Sequence, residues 1–338
     1  MSPRPRVLSL LQRYPQLSET YIRTELEALK GDFDLEILGC QPVDLPDPDH
    51  LPFEFTETWH DILNAIRAFK PRVIHSHYLV FGDVVLEAAR RTGVPFTIRA
   101  HSFDTAWQPG TPVPPHLSAA PALAADELCL GILAFPYSIP VLEALGVPRH
   151  KLHPAPPVVD VRAFLDASPN GEGVMNTGSC LPKKAMADFV AVAARVPERP
   201  FNLHPLGYEV ADLEAVNRAA GSPVRIHPPR PFRAMPGVYK AHQWLLYTAD
   251  FAMKKVGWPM ALAEAQAAGV GVCMAGIRPD LEDYLGGGGL LYRSLEEAAE
   301  IVRGPVPPDL RERGFENARK LDFALQRHRL TDLWAPAL

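Results

Sequence analysis

The stretch with the clearest chemical potential runs Val256-Gly-Trp-Pro-Met-Ala-Leu-Ala-Glu264-Ala-Gln-Ala-Ala-Gly269 and leads into an apolar run through Cys273. Gly257 and Pro259 open an alanine-rich helix, and Gly269 closes it. The amides of Gly257, Trp258 and Met260, beside Pro259, then lack helical partners and carry roughly half a positive charge, a seat for a phosphate. Glu264, on the same helix, is placed to accept from sugar or ribose hydroxyls. The competing interpretation is a capped core helix with Glu264 paired to an arginine. His75 and His77 share one strand face, but no third ligand follows at metal-site spacing, so packing or hydrogen bonding is expected of them. Asp47-Pro-Asp49 has the spacing of a metal-clamping pair, yet it lies in a proline-rich stretch and reads as a solvated loop. Gly286–Gly289 precede an apolar run with no helix after it, and read as a turn. Ser18-Glu19-Thr20 precede a helical pattern in which Tyr21 occupies the capping-box position, so the cap is incomplete and Glu19 is available to a ligand.

These groups need a scaffold, and the hydrophobic pattern supplies one. Strands are expected at Val7–Leu11, Leu35–Leu38, Val73–His77, Phe96–Arg99 and Glu127–Leu130, with helices at Thr20–Leu29, Thr56–Phe69, Asp83–Arg91 and Ser138–Leu145 between them. The second half repeats the scheme, with strands at Val174–Thr177, Phe201–Pro205, Val224–His227, Trp244–Thr248, Val270–Met274 and Leu290–Tyr292. Its helices are expected at Ala185–Ala194, Val210–Ala219, Met260–Ala268 and Leu295–Val302. Alternation of this kind implies parallel sheets covered on both faces. A chain of 338 residues exceeds the usual single core. Two Rossmann-like α/β domains are therefore expected, residues 1–165 and 166–310, with a charged helical segment over 311–338 that crosses back to the first domain. Ligands of such sheets bind at the carboxyl ends of the strands, in a crevice the two domains would share.

The totals exclude other classes. A net charge of -5 argues against nucleic acid as a partner. The four cysteines form no CxxC pair, the pattern of reduced thiols and not of a disulfide framework or zinc site. No signal peptide or membrane span is evident, so a cytoplasmic location is expected.

Taken in order, the motifs resemble the family 4 glycosyltransferases of the GT-B fold. The helix segment resembles E-G-F-P-x-x-x-x-E-A-x-A-x-G-x-P-V, with Glu264 at the second glutamate, Val256 at the first and Trp258 for the usual Phe. RYPQLSETYIRTEL (Arg13–Leu26) resembles the segment near the acceptor, which assigns Ser18, Glu19 and Thr20 to acceptor binding. IHSHY and FTIRAHSFD resemble the H-x-H strand end and the T-x-H-x-x-D loop, and the latter puts His101 beside the reacting sugar. GSCLPKK resembles G-R-L-x-x-x-K-G, with Lys184 at the phosphate lysine, Ser179 in place of the Arg and Ala185 in place of the Gly. IRPDLEDYLGGGGLLY resembles the glycine-pair segment, with Glu282 at the acidic position and Arg278-Pro279 replacing the glycines.

The resemblance implies a retaining transferase that moves a sugar from a nucleoside diphosphate sugar to a hydroxyl acceptor, in glycan biosynthesis, without metal or other cofactor. Lys184 and His101 would be catalytic. Ser179, Gly257, Trp258, Pro259, Met260, Glu264, Arg278 and Glu282 would hold the donor. The leaving diphosphate gathers negative charge, and Arg278, Lys183, Lys254 or Lys255 would replace the missing Arg. The substitutions at Val256, Ser179 and Arg278-Pro279 also fit a second reading, a catalytically degenerate partner that binds nucleotide or acts as a scaffold. Arg13, Arg23, Arg90 and Arg91 leave contact with a membrane surface as a further expectation.

Overall fold

The computed structural model of the chain describes residues 3–108, 110–207 and 209–338. It divides into two compact units, one running to Val158 and resuming over Phe323–Leu338, the other Val159–Asp322.

In the first unit, β1 (Arg6–Arg13), β2 (Asp34–Gln41), β3 (Glu54–Phe55), β4 (Val73–His77), β5 (Phe96–Arg99), β6 (Cys129–Ala134) and β7 (Leu152–Pro154) form one sheet in the order β3-β2-β1-β4-β5-β6-β7. Every pairing is parallel. The central strands are apolar on both faces, as parallel strands under helices must be: Val7, Leu8, Leu10 and Leu11 of β1 are all buried. Strand order reverses between β1 and β4. The connections after these strands therefore leave in opposite directions and open a crevice at their carboxyl ends.

The second unit holds β8 (Gly173–Ser179), β9 (Phe201–Leu206), β10 (Val224–Ile226), β11 (His242–Tyr247), β12 (Gly271–Ala275) and β13 (Leu290–Tyr292), ordered β10-β9-β8-β11-β12-β13. Its ladders are parallel too. Here the reversal lies between β8 and β11. Both units are doubly wound α/β, as expected.

Local chemistry explains where boundaries moved. The helix expected from Thr56 begins at Trp59, because Thr58 and Asp61 exchange side-chain and backbone bonds as a capping box. The strand expected from Glu127 starts at Cys129, because the Asp126 carboxylate accepts the Leu128 amide and turns the chain first. Ser138 precedes its helix but does not cap it; its hydroxyl meets Thr105 at 2.8 Å. A helix at Pro115–Ala125 was not expected, since prolines sit at its start and at Pro121. The unit boundary falls at 158/159 and not at 165/166, because Val161 and Phe164 bury into the second core. The C-terminal segment is not one helix: Pro308–Leu321 belongs to the second unit, and only Phe323–Leu338 returns to the first.

That return is anchored by Trp334. It is fully buried, packs edge-on against Phe33 with centroids 5.3 Å apart, and donates its indole N–H to Thr97 at 2.9 Å. Trp334→Ala is expected to cost roughly 3–5 kcal/mol in denaturant unfolding; a loss below about 1 kcal/mol would show that the terminal helix is dispensable.

Candidate functional site

The reversal point of the second sheet is built from the loops after β8 and β11. Asn176 donates to the Thr248 hydroxyl at 3.1 Å, Thr248 donates to the Lys184 carbonyl at 2.7 Å, and the Asp250 amide donates to the Lys183 carbonyl at 3.0 Å. These bonds lash the two loops together and fix Lys184. Its ammonium lies 5.4 Å from the Tyr247 ring centroid. It also lies against Gly178, whose φ of +109° and lack of a Cβ give it room; any side chain there would collide with Nζ. Ala185 holds φ +43°, a left-handed conformation that suits the glycine which the motif it resembles has at this place.

No carboxylate pairs with Lys183, Lys184, Lys254 or Lys255 among the described residues. Burial and then the Lys183 charge push the Lys184 ammonium down to about 8. Burial and then Lys255 also lower Lys183. Two half-buried cations with no carboxylate beside them, and a third lysine next to one of them, make a place whose charge an anion would relieve.

The helix of the second half forms over Met260–Ala267 with Pro259 at its N-cap. Trp258 stacks on Tyr284, centroids 4.8 Å apart, and donates to Asp280 at 2.8 Å, while Tyr284 donates to the Pro259 carbonyl at 2.6 Å. The backbone entering the helix is thus clamped at Trp258 and Pro259. Ser179 ends β8, beside this edge. Val256 is buried in the core, so packing stands where the motif it resembles has a glutamate.

Arg278 is placed differently from the expectation of a diphosphate cation. Its guanidinium is forked onto Asp280, at 2.8 and 3.0 Å, and donates to the carbonyls of Lys254 and Val256. It braces the loop that precedes the helix. Of the other expected cations, Lys183 neighbours Lys184, Lys255 neighbours Lys183, and Lys254 precedes Lys255 in the loop after β11. Glu282 is exposed, on the short helix Asp280–Leu285 after β12. Glu264 is buried and accepts from Tyr239 at 2.7 Å, so its partner is a phenol and not an arginine. Burial raises it to about 7, with Tyr239 opposing.

In the first unit, the loops after β1 and β4 carry Glu19 and Tyr78. A small crevice there is lined by Gln12, Arg13, Glu19, Ile22, His77 and Tyr78. Tyr21 bonds to the Tyr78 hydroxyl, which donates to Glu19 at 2.9 Å. Burial lifts the Glu19 carboxyl to about 7 against the pull of Tyr78 and Arg13. Tyr78 holds φ +74°, a strained backbone for an aromatic residue at a strand end. Ser18 and Thr20 flank Glu19 at the start of the helix Thr20–Leu29, which no side chain caps.

His101 follows β5, its ring 4.6 Å from both Tyr21 and Tyr78 and stacked on His77 at 5.2 Å. Behind it lies a cluster the sequence did not reveal. Glu25, from the helix after β1, meets His75 at 2.7 Å, His77 at 3.1 Å and Arg99 at 2.7 Å. Glu25, His75 and His77 are the one trio among the described residues with donor atoms close enough for a cation, within 4.8 Å. Each of those atoms already has a hydrogen-bond partner, and Arg99 on the same carboxylate opposes a second positive charge. The signal for Glu25 was its place beside Ile22, Leu26 and Leu29, a charge on the buried face of a helix.

Two other expectations change. Asp47 of the Asp-x-Asp is buried and bonded to Arg23 at 2.8 Å, so it is an internal ion pair and not a solvated loop. Arg23 is consequently unavailable to a membrane surface, and Arg90 and Arg91 pair with Asp126 and Glu87. Among the described residues no helix is long and apolar enough to cross a membrane.

Two doubly wound domains in one chain, each with a crevice at its strand reversal, define the GT-B fold. Solved structures of that fold are similar to the chain along almost its whole length. HepE of Anabaena, in complex with UDP and glucose, superposes with a TM-score of 0.78 at 14% identity, covering 98% of this chain and 100% of that one. Sucrose-phosphate synthase from Thermosynechococcus elongatus gives 0.74 at 15% identity, covering 98% and 100%. AviGT4, a glycosyltransferase involved in avilamycin A biosynthesis, gives 0.66 at 15% identity, covering 98% and 97%. The sequence matches no family model and no curated protein.

Glu264 yields a test. Its folded value, about 7, lies above the ordinary 4.5. Its stabilising contribution is therefore present below about 4.5 and is lost as pH rises through 7, leaving a buried charge above. Glu264→Gln keeps an acceptor for Tyr239, so it should stabilise the chain at pH 8 by on the order of 3 kcal/mol, with no gain at pH 4. Thermal melts at both pH values decide it; equal effects at the two would show that Glu264 is not a buried charge.

Proposed function

We propose that the chain is a retaining glycosyltransferase that moves a sugar from a nucleoside diphosphate sugar to a hydroxyl acceptor without a metal. One observation carries the reading: the Lys184 ammonium and the clamped start of the Met260–Ala267 helix belong to the two loops that flank the reversal point of the second sheet. Cationic charge and helix amides at that place suit a diphosphate. The complexes of HepE with UDP and with UDP-glucose support a donor of this class.

In this reading Lys184, with Lys183 and Lys255 near it, takes up the negative charge that gathers on the leaving diphosphate. Ser179 and the amides of Gly257, Trp258 and Met260 position the phosphates. Glu264 holds the ribose, Trp258 shapes the entry to the helix, and Glu282 lies toward the sugar. Arg278 acts on the donor indirectly, through the loop it braces. His101 sits beside the reacting sugar. Ser18, Glu19 and Thr20 meet the acceptor, and a Glu19 carboxyl near 7 is able to take a hydroxyl proton at neutral pH. Retention and metal independence come from the family resemblance. Unpaired cysteines support a reducing, cytoplasmic setting.

The scaffold reading draws on Val256, whose buried side chain removes one donor contact. A panel of nucleoside diphosphate sugars, scored for transfer and for slow donor hydrolysis, separates the two. Lys184→Ala should lower turnover on the order of a hundredfold or more, with little change in melting temperature because its removal relieves a buried charge. Unchanged turnover would remove Lys184 from the mechanism, and no nucleotide binding at all would favour a scaffold.

A further inference from the structure

The cluster behind His101 is more than a set of buried polar groups, because its hydrogen bonds can be assigned a direction. Glu25 is wholly buried at 0% exposure, and His75 and His77 are at 1%. Burial alone would raise the Glu25 carboxyl, but Arg99, His75 and His77 hold it well below the usual carboxylate range. Glu25 is therefore ionised and can only accept. The His75 and His77 Nε2 atoms, both on Oε1 at 2.7 and 3.1 Å, must each carry a proton.

The next bond follows from that one. Burial brings His77 down to about 4, so with Nε2 protonated its Nδ1 is bare at neutral pH. That Nδ1 lies 2.9 Å from His101 Nε2, which must then donate. Burial above all, with Arg99 opposing a further positive charge, puts His101 well below its ordinary range, so it too is neutral. At the far end, the Thr97 hydroxyl bridges His75 Nδ1 and the Trp334 indole N–H, 2.9 Å from each. The chain spans the helix after β1, the ends of β4 and β5 and the C-terminal helix. Tyr21 and Tyr78 close on the His101 ring, and Asp104 takes its backbone N–H at 2.9 Å.

We propose that Glu25 and His77 are positioning residues that hold His101 as the Nε2–H imidazole, so that its Nδ1 can only accept, from the Asp104 backbone N–H that it faces as N-cap or from a substrate hydroxyl that takes that place. This rests on the transferase reading for the identity of that hydroxyl, on donor sugar or acceptor, and on nothing further for the tautomer. His101 so held cannot act as an acid. It orients one hydroxyl, and the carboxylate that dictates its proton lies one residue further in. The arrangement matches the logic by which a buried carboxylate fixes an imidazole in serine hydrolases, with a second histidine interposed.

The groups that bear on the His101 ring are His77, Tyr21 and Tyr78 directly, Arg99, Glu25 and His75 through the chain, and Asp104 at its backbone. Of these, His77 is the one whose removal frees the ring without leaving Glu25 bare, since Arg99 and His75 stay on the carboxylate. His77→Leu is expected to lower kcat on the order of tenfold to a hundredfold and to add an acid limb to its pH profile, as His101 becomes free to protonate. Nucleotide affinity should not move. His77→Gln, whose amide can both donate to Glu25 and accept from His101, should restore most of the activity.

Nitrogen-15 spectra of the histidine-labelled wild-type chain at pH 7, with His101 assigned through His101→Gln, read the tautomer directly. The expected result is a neutral ring protonated at Nε2 only, and a mixture of tautomers in His77→Leu. Three results would overturn the proposal: an Nδ1–H ring in the wild type, a His77→Leu enzyme that folds and keeps wild-type kcat and pH profile, or one equivalent of metal at Glu25, His75 and His77 whose removal abolishes activity. If no donor supports transfer, the transferase reading falls while the spectra still decide the tautomer.

Discussion

An ammonium group half-buried against an aromatic ring and a glycine, with no carboxylate to meet it, is an expensive thing for a protein to keep. Lys184 is held in that state by the bond its carbonyl accepts from the Thr248 hydroxyl and by the room Gly178 leaves. The burial lowers its proton affinity, and Lys183 lowers it further. The loops after β8 and β11 lead away on either side of the point where the sheet reverses, and it is at such a reversal that sheets of this kind bind their ligands. The donor half of the proposed chemistry depends on this unmet positive charge. Without it the second unit is an ordinary α/β domain.

The first unit solves a different problem, that of keeping a buried carboxylate and its two histidines fully partnered. Glu25 satisfies three donors, and each histidine on it passes its second nitrogen to another partner. The result is a connected network, and such networks restrict their members to few arrangements. Its outer member, His101, is also the residue the loop motif singled out. Glu19 and the two tyrosines stand at the mouth, where burial raises a carboxyl toward neutrality.

Much of the scaffold was legible in the sequence for a simple reason. Each strand of a covered parallel sheet opens on apolar residues between helical patterns, so Val73–His77, Phe96–Arg99 and Leu290–Tyr292 form where the pattern puts them. The helix Thr20–Leu29 likewise follows the spacing of Ile22, Leu26 and Leu29. What periodicity cannot convey is pairing across sequence. Glu25 and His75 are 50 residues apart, and only strand order brings them together. Asp47 looked solvated because its partner, Arg23, lies on a different element. Arg278 looked available because a forked bond two residues away, to Asp280, leaves no trace in spacing. Motif order pointed to the loops that carry the candidate site; which cation in them has no carboxylate needed coordinates.

The claim that an anion sits on Lys184 can be tested through protons. With its ammonium near 8, Lys184 is partly deprotonated at pH 8.5, where a nucleoside diphosphate no longer titrates. Binding a diphosphate beside it should raise its proton affinity and draw protons from the buffer. Calorimetric titration of a nucleoside diphosphate in buffers of different ionisation enthalpy measures that uptake. The account predicts a fractional uptake in the wild type that vanishes in Lys184→Ala; binding with no proton uptake, or an uptake that survives the substitution, would place the anion elsewhere.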